Sequence, residues 1–369
     1  MRRSTDRKQG VVLLDTREQT PEHERNVHLK IAERLAQLLD TQVVDPAHPP
    51  SADDNYYFLP TETLIDTDHY QNLGISSDRD LFGGLVSRPY MATKAISHPL
   101  IANARYPLGW TDDFARQASD ALLRGYTVFS LTDAVCAAEL LLRNGPLRIK
   151  PVRAKAGRGQ IVASSMHEVE QALKRQSEKE LAIWGLVLEE NLTQVQTFSV
   201  GQALVAGIQC SYYGTQQLTH DHAGEEVYGG SDLVVVRGTY DSLLQLELEQ
   251  PIRLAITQAR TYEKAAVRNF PGFIASRRNY DVARGLNSQG QPKSGVLEQS
   301  WRIGGASSAE ILAIQAFASD TALTRVRAST HEVFDEPLLP ADATIFYQGD
   351  DSELGRICKY ARLRDYDHP

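Results

Sequence analysis

The sequence predicts a chain of mixed α/β and α+β lobes, and three features carry that expectation. The residues up to about 95 run strand, helix, strand, an order that builds a small sheet by parallel pairing. Residues 125–190 alternate strand, helix, strand, glycine loop, strand, helix, strand, which describes a compact α+β unit. Beyond residue 195 the chain turns strand-rich, with one long helix and a hairpin-like stretch near its end.

Bulk properties set the bounds. A chain of 369 residues makes one large domain or two to three lobes, and 42% hydrophobic beside 23% charged residues can bury a core. A formal net charge of −8 with no long basic run gives no signal for nucleic acid or a membrane surface. No apolar stretch approaches bilayer-spanning length, and the basic start has no apolar segment behind it to make a secretory signal. The three cysteines, Cys136, Cys210 and Cys358, are far apart and odd in number. They read as reduced thiols, and the expected location is the cytoplasm.

Taken in order, "GVVLLD" is a buried strand, and "HERNVHLKIAERLAQLLD" a helix with Val27, Ile31, Leu35, Leu38 and Leu39 on one face. "DDNYYFLPTETLI" adds a strand-like run in which Tyr56 and Tyr57 are core residues. In the next unit Thr132 is the expected helix cap and Asn144-Gly145 the stop. "LRIK" and "QIVAS" are antiparallel neighbours across a basic glycine loop, and Ser165 with Glu168 makes a capping box. "IWGLVLEENL" is an apolar strand ending in two acids. Strands follow in "VQTFSVGQALVAGIQ" and "SDLVVVRG", and Pro251 opens a helix with Ile252, Ala255, Ile256, Ala259 and Tyr262 on one side. "NYDVARGLNSQGQPKSGVLEQS" is a hairpin, because Gly, Asn, Gln and Pro separate two apolar runs. "SAEILAIQAFASD" is a helix and "ATIFYQG" a strand, before a polar tail with no readable role. The expected lobes are residues 1–95, 96–190 and 191–335, with a terminal strand and tail over 336–369.

Three stretches could carry chemistry. The hairpin places Asp281 on its first strand and Glu298 on its second, so antiparallel pairing can set two carboxylates side by side. Two close carboxylates ask for a cation, and Mg²⁺ favours carboxylate and phosphate oxygens. Ser300 is two residues beyond Glu298 and could add a weaker oxygen ligand, while Arg302, two further, could hold a phosphate if the strand persists. In "RIKPVRAKAGRGQ", Lys150 ends a strand before a loop bearing Lys155, Gly157 and Gly159, the ammonium and exposed N–H groups that a polyphosphate needs. In "VLEENL", a strand stops at Glu189, Glu190, Asn191 and Leu192, leaving backbone groups for the edge of an adenine and a leucine for its face. Alone, each stretch is also an ordinary surface feature: solvated acids, a basic turn, an acidic loop.

In this order the three resemble the ATP-grasp superfamily. Its pattern is a lysine before a flexible glycine loop, a hinge ending in acid-x-x-Leu, a hairpin with an acid, and then Glu-x-Asn. Lys150 with Gly157 and Gly159, Glu189 to Leu192, Asp281, and Glu298-Gln299-Ser300 match it here. "EQSWRIGG" resembles the Glu-x-Asn-x-Arg ending of biotin-carboxylase-like members. The likeness covers roughly residues 95–320, and the whole chain is most similar to a bacterial family of ATP-grasp-like proteins from which no substrate carries over.

The resemblance implies two α+β lobes clasping ATP behind a small α/β lobe. Lys150, Gly157, Gly159, Glu189, Glu190, Asn191, Leu192 and Gln196 would hold the nucleotide. Asp281, Glu298 and Ser300 would hold Mg²⁺, or Mn²⁺ in its place, and Arg302 and Lys155 would be catalytic. The implied reaction activates a small-molecule carboxylate as an acyl phosphate for attack by an amine or another nucleophile, without nucleic acid or membrane, and admits a homo-oligomer. Ser300 departs from the family's asparagine, Gln196 stands where a ribose-binding carboxylate is expected, and Lys94 is the only match for an earlier lysine. Two further readings therefore stay open, a nucleotide-binding regulatory protein without turnover and a kinase on the same fold. Outside this pattern, Ser231, Asp232 and Arg237 are candidate substrate contacts, and His220 and His222 beside Asp221 read as a polar loop.

Overall fold

The computed structural model describes residues 7–17, 19–44, 54–153, 159–336 and 338–367. The chain begins with β1 (Val11–Leu14), α1 (Glu22–Leu38), β2 (Tyr57–Pro60), β3 (Leu64–Ile65), α2 (Thr67–Asn72) and β4 (Gly84–Val86). β1 and β2 pair in parallel, Val11 opposite Tyr57. Such strands are covered on both faces, which is why both read as continuous apolar runs. α1 lays Ile31, Ala32, Leu35 and Ala36 on this small sheet. The loops that leave the carboxyl ends of β1 and β2 face the rest of the molecule, where the Thr63 hydroxyl donates to the carbonyl of Trp301 at 3.2 Å.

A second unit holds α3 (Asp113–Gln117), β5 (Gly125–Val128), α4 (Leu131–Leu142), β6 (Leu147–Pro151), β7 (Ile161–Ala163), α5 (Met166–Leu173), α6 (Glu178–Trp184) and β8 (Leu186–Glu190). Its sheet runs β5-β8-β6-β7 with every neighbouring pair antiparallel. α4 is capped by Ser130, whose hydroxyl accepts the N–H of Asp133 at 3.1 Å, not by Thr132, because helical geometry already begins at Leu131. Ser165 caps α5 as expected, accepting from the Glu168 N–H at 3.3 Å, while the Glu168 carboxylate reaches the N–H of Ser164. Ile183 and Trp184 close a helix and do not open the strand. Gly185, at φ 82°, makes the left-handed break that lets β8 begin at Leu186.

The third unit contains β9 (Thr193–Val205), β10 (Ile208–His220), β11 (Glu226–Arg237), α7 (Tyr240–Leu243), α8 (Gln250–Asn269), β12 (Ile274–Ala275), β13 (Arg277–Leu286), β14 (Pro292–Ser300), α9 (Ser307–Ser319), β15 (Arg325–Val333), β16 (Thr344–Asp351) and β17 (Gly355–Asp365). Among the described residues its main sheet has eight strands in the order β14-β13-β9-β10-β11-β15-β17-β16. The apolar run after residue 195 breaks at Ala206 (φ 51°) and Gly207 (φ 76°), a two-residue turn of the hairpin type that makes two strands of one. One face of the sheet packs Phe198, Val200, Tyr280, Val282 and Val296 against α8. The other packs Ala203, Tyr212, Leu233, Val235 and Val326 against α9 and α1. The terminal polar stretch is β17, which buries Ile357, Cys358 and Ala361 between β15 and β16. No helix among the described residues is long and apolar enough to cross a membrane.

Candidate active site

The β13–β14 hairpin sets Asp281 directly opposite Glu298. A bulge falls just beyond that pair, so Leu297 has no partner of its own and its carbonyl turns toward Lys150. Tyr280 and Val282 enter the core under α8, so alternation sends Asp281 to the opposite face. Gln216 from β10 donates to Asp281 Oδ1 at 2.9 Å, and Lys94, only 4% exposed, forms an ion pair with Glu298. Burial would raise both carboxyls, but Lys94 draws Glu298 below its ordinary value, with Lys150 and Arg302 acting in the same sense. Asp281 is pushed up by burial and by the Glu298 charge beside it. In the absence of a cation the pair therefore favours holding a proton.

Across the cleft, Lys150 at the end of β6 is 1% exposed. Its ammonium donates to Glu189 Oε1 at 2.7 Å and to the Leu297 carbonyl at 3.3 Å. The other Glu189 oxygen is 3.2 Å from His98 Nε2. Burial alone would raise Glu189, yet Lys150 and His98 hold it down at about 2. A cavity of about 190 Å³ opens beside this group, with walls of Leu123, Leu192, Val195, Ala283 and Leu297 and a polar side of Arg148, Lys150, Gln160, Glu189 and Glu190. Apolar walls with a few converging polar groups suit a planar ligand.

The structure thus brings Lys150, Glu189, Glu190 and Leu192 to one cavity, sets Asp281 beside Glu298 next to the Leu297 that borders it, and revises several expectations. The hinge is less open than its sequence suggests: the N–H of Glu190 is taken by the Arg124 carbonyl at 2.8 Å and that of Asn191 by the Pro146 carbonyl at 3.0 Å. The Asn191 side chain accepts from Arg148, and the Glu190 carboxylate from the N–H of Arg124. Gln196 is exposed, opposite Arg284 on the neighbouring strand and off the cavity. β14 ends at Ser300, so Arg302 leaves the carboxylate face, and its Nε pairs with Glu62 of the first unit at 3.2 Å. The Ser300 hydroxyl accepts from Arg277 at 3.3 Å. Gly159 is exposed at φ 72° beyond the loop, while Lys155 and Gly157 lie outside the described residues.

Other expectations separate in the same way. Arg237 donates to the carbonyls of Leu323, Phe317 and Asp320 and stacks on Phe317, which ties α9 to the sheet. Asp232 is exposed, bonded to Gln217, whereas Ser231 is buried with Tyr228 and Thr330. His222 bonds the Arg356 carbonyl, and among the described residues no three histidine, cysteine or acid side chains gather as a metal cluster. Sequence reasoning missed Gln216, His98, and the buried pair of Arg277 with Glu310. The Glu310 signal was present, a lone acid inside the apolar helix "SAEILAIQAF".

Comparison with known proteins bears on the fold. No curated protein matches the sequence. Among solved structures, the ADP complex of N5-carboxyaminoimidazole ribonucleotide synthetase superposes with a TM-score of 0.52 at 11% identity, over 98% of this chain and 93% of that one. Phosphoribosylamine–glycine ligase from Thermotoga maritima gives 0.45 at 12% identity, over 96% of this chain and 90% of that one. D-alanyl-alanine synthetase A from Vibrio cholerae gives 0.43 at 12% identity, over 80% and 89%. At such identities the first of these likenesses speaks for the fold alone, and the fold is ATP-grasp. The chain belongs to the DUF3182 family, described as proteins of unknown function, whose model matches residues 11–361.

Proposed function

We propose that this protein is an ATP- and Mg²⁺-dependent ligase that joins a carboxylate to an amine or other nucleophile. The observation that carries the reading is the Asp281–Glu298 pair, held across one hairpin beside Leu297, whose carbonyl bonds Lys150 and whose side chain borders the cavity. In this reading Leu192, Val195, Ala283 and Leu297 enclose the adenine. Lys150 has one N–H on Glu189 and one on Leu297, which leaves its third donor for a phosphate oxygen. Asp281 and Glu298 would hold Mg²⁺ through their carboxylate oxygens, the donor type that ion favours. An ion held there would supply positive charge to offset that of a transferring phosphoryl group. Glu189 holds Lys150 in place, Lys94 is positioned to exchange Glu298 for phosphate, and closure of the lobes excludes water from the acyl phosphate.

A second reading, nucleotide binding without turnover, is favoured by one observation: the Ser300 hydroxyl is engaged by Arg277, so two carboxylates stand alone as ligands. Calorimetry with Mg-ATP and an ADP-release assay over a panel of carboxylates and amines separate the two. Lys150→Met should weaken Mg-ATP by about 10- to 100-fold, the loss of one charge-assisted contact. Glu298→Gln should abolish ADP release in the ligase. Binding without turnover on every acceptor would favour the second reading, and wild-type protein that does not bind Mg-ATP would remove both.

A further inference from the structure

Buried polar atoms without partners concentrate in one place. Of the eight such side-chain atoms among the described residues, three belong to Arg17 and His28, on the loop that leaves β1 and the early turns of α1, while that of His23 lies on the side of α1 turned to Tyr347. Arg17 is 14% exposed along its side chain. Its Nη1 donates to Glu24 Oε2 at 2.5 Å, but Nε and Nη2 are buried with no hydrogen bond, the nearest carboxylate oxygen, on Asp15, standing 3.9 Å from Nε. His28 lies four residues after Glu24 on the same face of α1, is 7% exposed, and has an orphaned Nδ1. Buried polar groups are almost always satisfied, so orphans gathered at one spot call for an explanation outside the chain's own bonding.

The surroundings are built rather than loose. Asp15 accepts from the hydroxyls of Thr20 at 2.8 Å and Thr61 at 3.1 Å, and the N–H of Thr16 donates to Thr61 at 3.1 Å. These bonds pin the loop to the carboxyl end of β2 and occupy Asp15, which stands 3.9 Å from Arg17 Nε as a loose ion pair without a hydrogen bond to that edge. The Nε–Nη2 edge of a guanidinium is the side that meets two oxygens of a carboxylate or phosphate at once. Open α/β sheets bind ligands at the carboxyl ends of their strands, which is where this edge sits. The site continues toward the carboxylate pair: Glu62, next to Thr61, holds Arg302, and the Arg302 charge acts on both His28 and Glu298.

We propose that Arg17, oriented by Glu24 and flanked by His28, anchors an anionic group of the acceptor, so that the acceptor carries two anions: one on Arg17 and a separate carboxylate presented to the Asp281–Glu298 pair. This substrate class rests on the ligase reading above, while the anion site at Arg17 stands on its own geometry.

The test is calorimetric titration of the full chain, with Mg²⁺ and a non-hydrolysable ATP analogue, using propionate, succinate and 3-phosphonopropionate. The two-anion probes should bind at least about tenfold more tightly than propionate, the worth of one charge-assisted contact. Arg17→Met should remove that advantage without weakening the nucleotide. Arg17→Lys, which keeps the charge and loses the fork, should retain only a small part of it and serves if the methionine variant fails to fold. The ranking of succinate against the phosphonate tells a carboxylate anchor from a phosphate anchor. An equal affinity for one and two anions, or an advantage that survives both substitutions, overturns the proposal. Repeating the titrations without nucleotide keeps the two readings apart. An Arg17-dependent anion site in protein that ignores Mg-ATP would sink the ligase and leave the anchor, and turnover indifferent to Arg17 would do the reverse.

Discussion

Replacing Glu310 by glutamine should cost the fold about 3–5 kcal/mol, because it leaves a charged guanidinium sealed without a counter-ion. Glu310 is fully buried and Arg277 is 1% exposed, and three contacts of 2.8, 3.0 and 3.1 Å join them. Arg277 cannot escape by losing its proton, because a guanidinium stays charged in proteins even without a partner; in the native chain the Glu310 charge overrides burial and raises its pKa further. Glutamine keeps the shape and one acceptor but not the charge. The remaining bonds of Arg277, to the Ser300 carbonyl at 3.2 Å and the Arg302 carbonyl at 2.6 Å, do not replace it. An apolar pair, Arg277→Met with Glu310→Leu, removes both desolvation penalties and should be more stable than the Glu310→Gln single variant. Urea unfolding followed by tryptophan fluorescence reads both, and Trp301, fully buried at the end of the hairpin, reports locally. A Glu310→Gln protein within about 1 kcal/mol of wild type, or a double variant as unstable as the sum of its singles, would refute this account of the pair.

Two other outcomes follow from named groups. His23 and His28 are held down at about 4, first by burial and then by the charges of Lys359 and Arg17 respectively. Unfolded histidine takes its proton near 6.5, so this stability is whole above that pH and is lost as pH falls from about 6.5 to about 4, at about 1.4 kcal/mol per pH unit per ring. Glu189, held at about 2, adds its own loss only below about 4.5. Urea midpoints between pH 7 and 4.5 should flatten in a protein carrying His23→Gln and His28→Gln, and an unchanged slope would count against the burial of neutral rings. Separately, ATP in EDTA should bind at least about tenfold more weakly than Mg-ATP, as calorimetry would show.

How far the sequence reached depends on whether a feature is local. The hairpin was legible because its alternation and its Gly, Asn and Pro turn are both written within residues 279–300. Asp281 and Glu298 met across it as a direct consequence. Arg302 escaped because the strand's end is decided elsewhere: Trp301 is fully buried, packed at a tilt against Phe273, and comes so close to Gly84 that a Cβ there would stand 2.7 Å from its own. That packing turns the chain and aims Arg302 at Glu62. The hinge N–H groups were taken by carbonyls of Arg124 and Pro146, partners that no local pattern announces. Lys94 opens a four-residue 3-10 turn that ends just before His98, too short to carry a period, so only tertiary contact brings them to Glu298 and Glu189. β17 was missed because its buried residues, Ile357, Cys358 and Ala361, alternate irregularly with charge.

The expected dependence on a divalent ion follows from the state of the cations in the cleft. Without ligand, Lys94 is already matched by Glu298 and Lys150 by Glu189. A polyphosphate entering alone would have to draw Lys94 away from Glu298, leaving that carboxylate beside Asp281 with nothing to offset the repulsion. The free pair answers such repulsion by holding a proton, as the upward push on Asp281 shows. A divalent ion arriving with the phosphates changes the exchange. Asp281 and Glu298 would hold it as oxygen ligands, its charge would offset their repulsion in place of a proton, and Lys94 would be free to meet a phosphate oxygen. Free ATP binding as tightly as Mg-ATP would mean that Lys94 does not change partners and that the carboxylate pair takes no part in holding the nucleotide.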